Sequence, residues 1–325
     1  MAAEDQLHVL LALTTFNVFK YICAYLWRKK RTLSYEYVGE VSALKIHPLK
    51  SCAPMSLQSV MCTKDGFSHD GFTDRHWMVV DSDGLRVNIN LEPKMALIRP
   101  SFYNNMLCLD APGMPTLKLE KNPKVDSSLF MNCKVCGMKI VGMSCGKMAS
   151  DWINRYLGKE GLSVVVSTSS MRKRDICDRG SRPWINSPTQ DDRVTFSDFS
   201  ACNIASESSL QDLNKRLTSP VDMGNFRPTL VVKGSAPFDE DSWKEIKIGD
   251  KVTMRLLEPT PRCLTITVDP NGNRDPHMEP LKTLRTFRKS PLYGNDPLFG
   301  VTTTVDHGGV INVGDPVYVL RNEEI

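Results

Sequence analysis

The sequence lacks the glycine-rich loops with which many enzymes hold nucleotide phosphates. Neither GxGxxG nor GxxxxGK followed by Ser or Thr occurs in its 325 residues, so no dinucleotide-binding or ATP-binding domain is predicted. It also has no CxxCH for haem attachment and no iron–sulfur cysteine spacing. If the protein performs redox chemistry, its electrons must therefore come from an external source.

A strong excess of one charge is also missing. The 41 Lys and Arg residues nearly balance the 37 Asp and Glu residues, which leaves a net charge of +4 and gives no indication of nucleic-acid binding. The ten cysteines are irregularly spaced in a long chain, which is untypical of a small disulfide-stapled scaffold and indicates a reducing compartment. The length suggests about two domains.

A zinc site is poorly supported. Cys133-Lys-Val-Cys136 is the one CxxC, and the six histidines, at positions 8, 47, 69, 76, 277 and 307, form no HxxxH pair. A structural zinc needs four ligands. The CxxC precedes a predicted strand instead of opening a helix, so a thioredoxin-like role is also disfavoured.

The N-terminus carries the longest apolar run. Leu7–Trp27 would form a helix about 32 Å long, roughly one bilayer core, although Asn17 and Lys20 interrupt it. Because Arg28–Arg31 follows at once, we predict a transmembrane anchor whose C-terminal side faces the cytosol. A buried core helix or an amphipathic targeting helix is the alternative. The outer mitochondrial membrane is the first choice, with the endoplasmic reticulum also open. Thr32–Tyr37 is predicted as a linker.

The rest of the chain is predicted to be α+β and mainly β, with a barrel-like arrangement. Two helices stand out: Lys147–Leu157, which Gly158 stops, and Ser209–Leu217, with Ser209 as its cap. Strands are predicted at 38–46, 77–80, 107–109, 117–119, 139–141, 229–232, 251–257 and 264–268, with a turn-strand-turn-strand unit at 308–320.

A basic stretch, Met171–Trp184, separates the two helices. Its sequence, MRKRDICDRGSRPW, is typical of an exposed loop and marks a candidate domain boundary. A docking surface for an acidic partner is the alternative interpretation.

Cys263 is the most informative candidate for chemistry. It follows Arg262 on a proline-stiffened segment, Glu258–Pro270. A thiol in such an electropositive turn suits a nucleophile or a soft metal ligand, while a buried small hydrophobe remains the commoner use of cysteine. Lys50, Arg75 and Arg227 stand at predicted strand–turn junctions. Each alone is typical of a surface charge, but together with Arg262 they could converge on an anion.

Several long motifs together resemble those of MOSC-domain molybdenum enzymes, and among these the mitochondrial amidoxime-reducing components. The resemblance runs through the whole chain in order. The motifs are HPLKSC (47–52), DRHW (74–77), FSDFSACNIASESSLQDLN (196–214), NFRPTLVV (225–232), PRCLTITVDP (261–270), PLKTL (280–284), PLYGNDPLFG (291–300) and GGVINVGDPVYVL (308–320).

The resemblance implies a mononuclear molybdenum cofactor, Mo-molybdopterin, with the Cys263 thiolate as the protein ligand of the metal and as the catalytic residue. The other matching cofactor-binding positions are Lys50, Ser51, Arg75, Asp198, Phe199, Ser200, Arg227, Pro261 and Arg262. Relatives carry threonine at the position of Phe199 and serine at that of Pro261, and they lack the second cysteine of the CxxC. Phe199 offers only backbone groups for hydrogen bonding, and Pro261 has no N–H.

The implied reaction is the two-electron reduction of N–OH to N–H in amidoximes, hydroxylamines, N-hydroxyguanidines and hydroxamic acids. The implied electron donors are cytochrome b5 and NADH-cytochrome b5 reductase. The resemblance further implies a monomer on the outer mitochondrial membrane facing the cytosol, with the peroxisomal membrane as a second location. Asp198, Asp269 and His307 are candidate proton donors.

The predicted domains are an anchor at 1–34, a β-rich MOSC N-terminal domain at 35–174 and a MOSC β-barrel domain at 175–325. Two other functions stay open. One is a MOSC-type sulfur carrier or cofactor-handling protein, which would share the fold and the cysteine. The other is a membrane-tethered protein that binds without catalysing.

Overall fold

Short runs rich in β-branched and aromatic residues form strands along most of the chain. The structure is a computed structural model that describes Lys20 and residues 34–168, 170–179 and 182–321. In chain order, its strands and helices are β1 (Glu36–Ile46), β2 (Met55–Leu57), β3 (Ser59–Thr63), β4 (Gly66–His69), β5 (Phe72–Thr73), β6 (Trp77–Val80), β7 (Arg86–Val87), β8 (Arg99–Tyr103), β9 (Met106–Asp110), β10 (Leu117–Glu120), β11 (Phe130–Val135), β12 (Met138–Ser144), α1 (Lys147–Leu157), β13 (Ser163–Val166), β14 (Arg174–Asp175), β15 (Arg193–Val194), β16 (Cys202–Ser206), α2 (Glu207–Asn214), β17 (Leu230–Lys233), β18 (Trp243–Ile248), β19 (Val252–Pro261), α3 (Leu281–Phe287), β20 (Leu298–His307), β21 (Gly309–Asn312) and β22 (Pro316–Arg321).

Seven strands close into a barrel in the order β17-β16-β20-β19-β18-β22-β1, with β1 pairing back to β17. The β16–β17 pair is parallel, and β2 extends the sheet beside β1. Closure removes exposed strand edges. Apolar side chains, among them Leu44, Trp243, Met254 and Val305, fill the interior and are almost fully buried. The predicted mainly-β architecture with a barrel is confirmed.

A second core lies outside the barrel. The five-stranded sheet β11-β12-β13-β6-β7 and the three-stranded sheet β10-β9-β8 contribute to it. Helix α1 packs Ala149, Trp152, Ile153 and Leu157 into this core, and Gly158 ends the helix in the left-handed conformation at φ 67°. The prediction for Lys147–Leu157 is confirmed at both ends. Two smaller sheets, β21-β3-β4-β5 and β14-β15, complete the fold.

The second predicted helix is shifted in the structure. Helix α2 begins at Glu207 and ends at Asn214, because Ser206 is the cap and accepts a hydrogen bond from the Ser209 backbone N–H. Ser209 was the wrong cap, since its hydroxyl instead donates to the buried carboxylate of Glu240 at 2.8 Å. Both serines fit the capping pattern, and only the tertiary contact of Ser209 with Glu240 shows which of them caps the helix.

Two segments near the C-terminal half also differ from prediction. The strand predicted at 264–268 is a 3₁₀ turn, Leu264–Thr267, in which the Ile266 N–H donates to the Cys263 carbonyl. Helix α3 was not predicted, although Leu281 and Leu284 are buried. It is two turns long, and such a short apolar pattern carries little periodic signal.

The predicted transmembrane helix, Leu7–Trp27, lies outside the described residues apart from Lys20. No helix among the residues that the structure describes is both long and apolar enough to cross a bilayer. The linker prediction is wrong for Glu36 and Tyr37, which begin strand β1.

The predicted exposed loop at Met171–Trp184 is partly wrong. Arg172 is exposed, but Arg174 is only 3% exposed and Ile176 only 1%. The Arg174 guanidinium donates to the backbone carbonyls of Thr195 and Ser197 and, more loosely, to those of Val135 and Asp198. An arginine can bridge several carbonyls because its donors are arranged as a planar fork. Part of this stretch is therefore buried in the protein instead of forming an exposed loop.

Candidate functional site

A cavity of about 320 Å³ brings together all ten residues that the sequence predicted for the cofactor site. They come from the loop after β1, the turn between β5 and β6, the turn before β16, the turn before β17 and the end of β19. The residues are Lys50, Ser51, Arg75, Asp198, Phe199, Ser200, Arg227, Pro261, Arg262 and Cys263. Their individual roles toward a cofactor stay predictions, but their convergence is a property of the fold.

Cys263 presents an accessible thiol to this cavity. Strand β19 ends at Pro261, which pairs with Leu298 of β20, so the chain leaves the barrel immediately before Cys263. The turn Leu264–Thr267 then redirects it. The thiol is exposed, and its Sγ lies 3.3 Å from Thr265 Oγ1. A thiol at a strand end is held rigidly while remaining open to a ligand.

Arg262 is buried beside Cys263, and no carboxylate among the described residues pairs with it. Its Nε donates to the Phe299 carbonyl at 2.8 Å, its Nη1 to the Phe226 carbonyl at 2.9 Å, and its Nη2 to Asn203 Oδ1 at 3.1 Å. All three acceptors are neutral. Burial of the guanidinium lowers the pKa of Arg262 to about 10, which means that the site holds the charge at a cost.

The Arg227 guanidinium likewise donates to a neutral acceptor. Its Nη2 donates to the Cys52 carbonyl at 2.5 Å, and burial together with the nearby charge of Arg75 lowers the pKa of Arg227 to about 10. Within the described part of the chain, no carboxylate lies within 4 Å of the Arg227 or Arg262 guanidinium. Two such arginines indicate that this end of the cavity is built for an anion.

Arg75 is positioned by buried neighbours. Its Nη1 pairs with the Asp74 carboxylate, which also accepts from the His47 backbone N–H at 2.6 Å. Burial acts to raise the pKa of Asp74, but the charge of Arg75 and the hydrogen bonds from His47 outweigh it and lower that pKa. Burial also lowers the pKa of His47 to about 3, so this histidine is neutral. The DRHW motif thus fixes a guanidinium through a buried ion pair.

Three of the predicted residues have left-handed backbone conformations. Ser51, Arg75 and Arg227 have φ values of 75°, 50° and 52°. Non-glycine residues rarely adopt this region, and such strain concentrates at functional sites. All three line the cavity, so the strain coincides with the place where the sequence predicts anion binding.

Lys50 and Asp198, unlike Arg227 and Arg262, form an ion pair with each other. Lys50 Nζ donates to the Phe196 carbonyl and to Asp198 Oδ1, each at 2.8 Å. Burial lowers the pKa of Lys50, and Asp198 opposes this shift. Burial acts to raise the pKa of Asp198, but the charges of Lys50 and Arg86 outweigh it and hold that pKa well below its usual range. Asp198 is therefore a carboxylate at neutral pH and a poor proton donor.

The other two candidate proton donors lie elsewhere. The Asp269 carboxylate accepts hydrogen bonds from the backbone N–H groups of Asn271 and Asn273, and His307 Nδ1 contacts Thr253 Oγ1. Neither residue is among those that line the cavity. The geometry therefore gives no support to Asp269 or His307 as acids in this site.

Several cavity residues were missed from the sequence. The most informative are Arg86, Asn88, Asn90 and Cys136. Cys136 lies in the turn between β11 and β12 at φ 52°, and its Sγ is 3.1 Å from Asp198 Oδ1. Burial and the charge of Asp198 raise the pKa of Cys136 to about 12, so it is a neutral thiol and not a reactive one. Part of the CxxC is thus a wall of the cavity.

The residues present fit the molybdenum cofactor that the resemblance implies. Five cationic side chains and one carboxylate line the cavity, which suits a ligand with a phosphate. The thiol of Cys263 suits a metal that prefers soft sulfur ligands. The described residues contain no cluster of three or more His, Cys, Asp or Glu residues that could hold a metal, so a metal at Cys263 needs its remaining ligands from an organic group.

Comparisons with known proteins agree with this chemistry. The chain matches the model of the MOSC N-terminal beta barrel domain over residues 38–160 and that of the MOSC domain over residues 191–318. It is 36% identical over 302 residues to mitochondrial amidoxime-reducing component 1 of Mus musculus, covering 90% of this chain and 87% of the relative. It is 35% identical to component 2 of Bos taurus and to component 2 of Homo sapiens, covering 90% of this chain and 88% of each relative.

Proposed function

Because the chain belongs to the MOSC-domain family of mitochondrial amidoxime-reducing components, we propose that it is a molybdenum-cofactor-dependent reductase of N-hydroxylated compounds. Its substrates would be amidoximes, hydroxylamines, N-hydroxyguanidines and hydroxamic acids, each converted to the N–H form. The observation that carries the proposal is the cavity in which the accessible thiol of Cys263 meets Arg227 and Arg262, neither of which pairs with a carboxylate of the described residues.

Each wall of the cavity would hold a different part of the cofactor. Lys50, Ser51, Arg75, Arg227 and Arg262 would bind its phosphate and pterin, and the Cys263 thiolate would bind the molybdenum. When bound, the cofactor supplies the two-electron chemistry by which N–OH becomes N–H with release of water.

The turn formed by Asp198, Phe199 and Ser200 would lie along the bound cofactor. The Ser200 hydroxyl donates to the Cys202 carbonyl at 2.8 Å, which ties this turn to the start of β16. Phe199 would contribute its ring and its backbone, while Pro261 would contribute its ring and carbonyl, because Pro261 has no N–H to donate. These two positions would therefore shape the cavity more than they hydrogen-bond within it.

Electrons would come from cytochrome b5, reduced by NADH-cytochrome b5 reductase. The absence of nucleotide and haem motifs in the sequence supports an external donor. The predicted N-terminal anchor would place the enzyme on the outer mitochondrial membrane, with its catalytic part toward the cytosol. The peroxisomal membrane is the second location. Confinement of donor and acceptor to one surface raises their effective concentration, and the enzyme would act as a monomer.

The basic stretch offers a narrower docking patch than its sequence suggests. Arg172 is exposed, and Lys173 pairs with Asp65 at 2.5 Å, whereas Arg174 is buried. We expect Arg172→Glu with Lys173→Glu to slow reduction by cytochrome b5 but not by a small chemical reductant, since only the protein donor needs a docking face. Equal loss with both donors would refute the patch. Arg174 is excluded from the test because its loss would disturb the fold.

The domain division proposed for this function is an anchor at 1–34, a β-rich domain at 35–174 and a barrel domain at 175–325. The two matched segments, 38–160 and 191–318, support a division between them. Both parts contribute cavity residues, since Lys50 and Arg75 come from the first, and Arg262 and Cys263 from the second.

A turnover assay tests the proposed function. Full-length protein from cofactor-replete cells, reduced with a viologen dye, should convert benzamidoxime to benzamidine. Cys263→Ser should abolish this conversion while the far-UV circular dichroism spectrum stays unchanged. No conversion by molybdenum-loaded protein would overturn the proposal. A Cys263 persulfide in protein without molybdenum would favour the sulfur-carrier alternative.

A further inference from the structure

One wall of the cavity is formed by residues 86 and 88–90, which the cofactor assignment does not use. Arg86, Asn88, Ile89 and Asn90 line the cavity, while Val87 does not and is 6% exposed. Strand β7 ends at Val87, and the chain then turns, because the Asn88 carbonyl accepts hydrogen bonds from the backbone N–H groups of Leu91 and Glu92. Within β7, Arg86 pairs with Val80 of β6.

The polar side chains of this wall carry hydrogen-bond donors that no described residue accepts. Among the described residues, the Arg86 guanidinium makes no hydrogen bond, and its one ion pair is a 3.5 Å approach of Nη1 to Asp198 Oδ1. That carboxylate is held more closely by Lys50 at 2.8 Å and by the Cys136 thiol at 3.1 Å. Most of the five N–H donors of the Arg86 guanidinium therefore have no acceptor among the described residues.

The two asparagines are oriented by their surroundings. Asn88 Oδ1 accepts from the backbone N–H groups of Asn90 and Leu91 at 3.0 and 3.1 Å, so its NH₂ group is the end left to face the cavity. The Asn90 carbonyl accepts from Arg274 Nη2 at 2.5 Å, which holds the backbone there. Neither Asn88 nor Asn90 donates a side-chain hydrogen bond to the described part of the chain.

We propose that Arg86, Asn88 and Asn90 form a substrate subsite that binds a carboxylate, so that the enzyme favours N-hydroxylated substrates carrying a carboxylate away from the N–OH group. The inference rests on the proposed reductase function. A planar carboxylate can accept two parallel hydrogen bonds from a guanidinium, and the amide NH₂ groups add donors of the same sense. The cationic lining of the cavity attracts such a substrate.

A matched pair of substrates tests the subsite in the full-length, cofactor-loaded enzyme. Benzamidoxime and 4-carboxybenzamidoxime differ only by the carboxylate. We expect kcat/KM, normalised to molybdenum content, to be about tenfold higher for the carboxylated compound, as one charge-assisted interaction allows. Arg86→Met should remove this ratio, mainly through KM for the carboxylated substrate. A ratio near one in the wild-type enzyme would overturn the subsite.

Two further variants distinguish binding from general disturbance. Asn88→Asp keeps the oxygen that organises the turn but replaces the donor with a negative charge, so it should lower the ratio. Arg99→Met removes a guanidinium from an exposed position on β8 and should leave the ratio unchanged.

The outcomes separate the subsite from the proposed function. If molybdenum-loaded wild-type protein reduces neither compound, the reductase function itself fails. If Arg86→Met loses molybdenum and both substrates suffer equally, Arg86 binds the anionic cofactor and the subsite is refuted. If Arg86→Met keeps both its molybdenum and the wild-type ratio, the subsite is refuted as well.

Discussion

The interior of the barrel and the cavity beside it treat buried side chains in opposite ways. Trp243, Met254 and Val305 fill the barrel with apolar surface, and burying such surface stabilises the fold by roughly 25 cal/mol per Å². The cavity instead buries Lys50 and Arg262, which are 4% and 9% exposed. Buried charges without full compensation oppose folding. Apolar burial in the barrel therefore offsets the cost of the buried charges in the cavity, and these charges are available to bind a ligand.

The largest effect on stability should come from the barrel. Trp243 is fully buried, and its Nε1 donates to Asp239 Oδ2 at 2.9 Å. Trp243→Ala should lower the free energy of unfolding by about 3–5 kcal/mol, as expected for a large core truncation, in chemical denaturation. Leu292→Ala, at a position that is 70% exposed, is the control. A loss below about 1 kcal/mol for Trp243→Ala would contradict the assignment of stability to the barrel.

A buried carboxylate outside the cavity sharpens the comparison. Burial raises the pKa of Glu240 to about 7 from 4.5. The unfolded chain ionises near pH 4.5 but the folded protein only near pH 7, so this group's stabilising contribution is complete below pH 4.5 and is lost as pH rises toward 7. The loss is about 3 kcal/mol at about 1.4 kcal/mol per unit. Glu240→Gln should remove this pH dependence.

Denaturation of both proteins at pH 5 and pH 8 measures the effect. The wild-type protein should lose more stability than Glu240→Gln over that interval. As the pH rises, the buried Glu240 carboxyl must ionise in the folded protein, which burial disfavours, whereas glutamine does not titrate. Parallel losses in the two proteins would show that Glu240 is not the group responsible.

The smallest effect on stability should come from the cavity itself. Arg227→Met removes a charge that burial and Arg75 disfavour, so cofactor-free protein should change by no more than about 1 kcal/mol, while molybdenum content falls. Arg174→Met is the matched contrast, because it strands the backbone carbonyls that Arg174 holds and should cost about 3 kcal/mol or more. Similar losses for both variants would erase the distinction between a structural and a ligand-binding arginine.

Local patterns explain what the sequence could predict. The apolar stripe and Gly158 defined α1, and strand-forming runs located β1, β17, β19 and β22 of the barrel but missed β16, β18 and β20. The convergence of the ten site residues rested on the family resemblance, because Lys50 and Asp198 meet across 148 positions and spacing cannot reveal such a contact.

The errors have physical causes as well. Arg174 belongs to a basic run that is typical of an exposed loop. Its guanidinium is nevertheless buried, because it donates to backbone carbonyls of other segments. The segment after Cys263 has strand-forming residues, but it turns because the chain must leave the barrel there. Residues 86, 88 and 90 did show a polar alternation, and this was the one available signal for the missed wall.

The most direct test of the central claim is the molybdenum content of the purified protein. Protein from cofactor-replete cells should hold close to one molybdenum per chain, and Cys263→Ser should hold almost none while keeping the wild-type circular dichroism spectrum. Wild-type protein without molybdenum, or a Cys263→Ser variant that retains it fully, would contradict the assignment of Cys263 and its cavity to the cofactor.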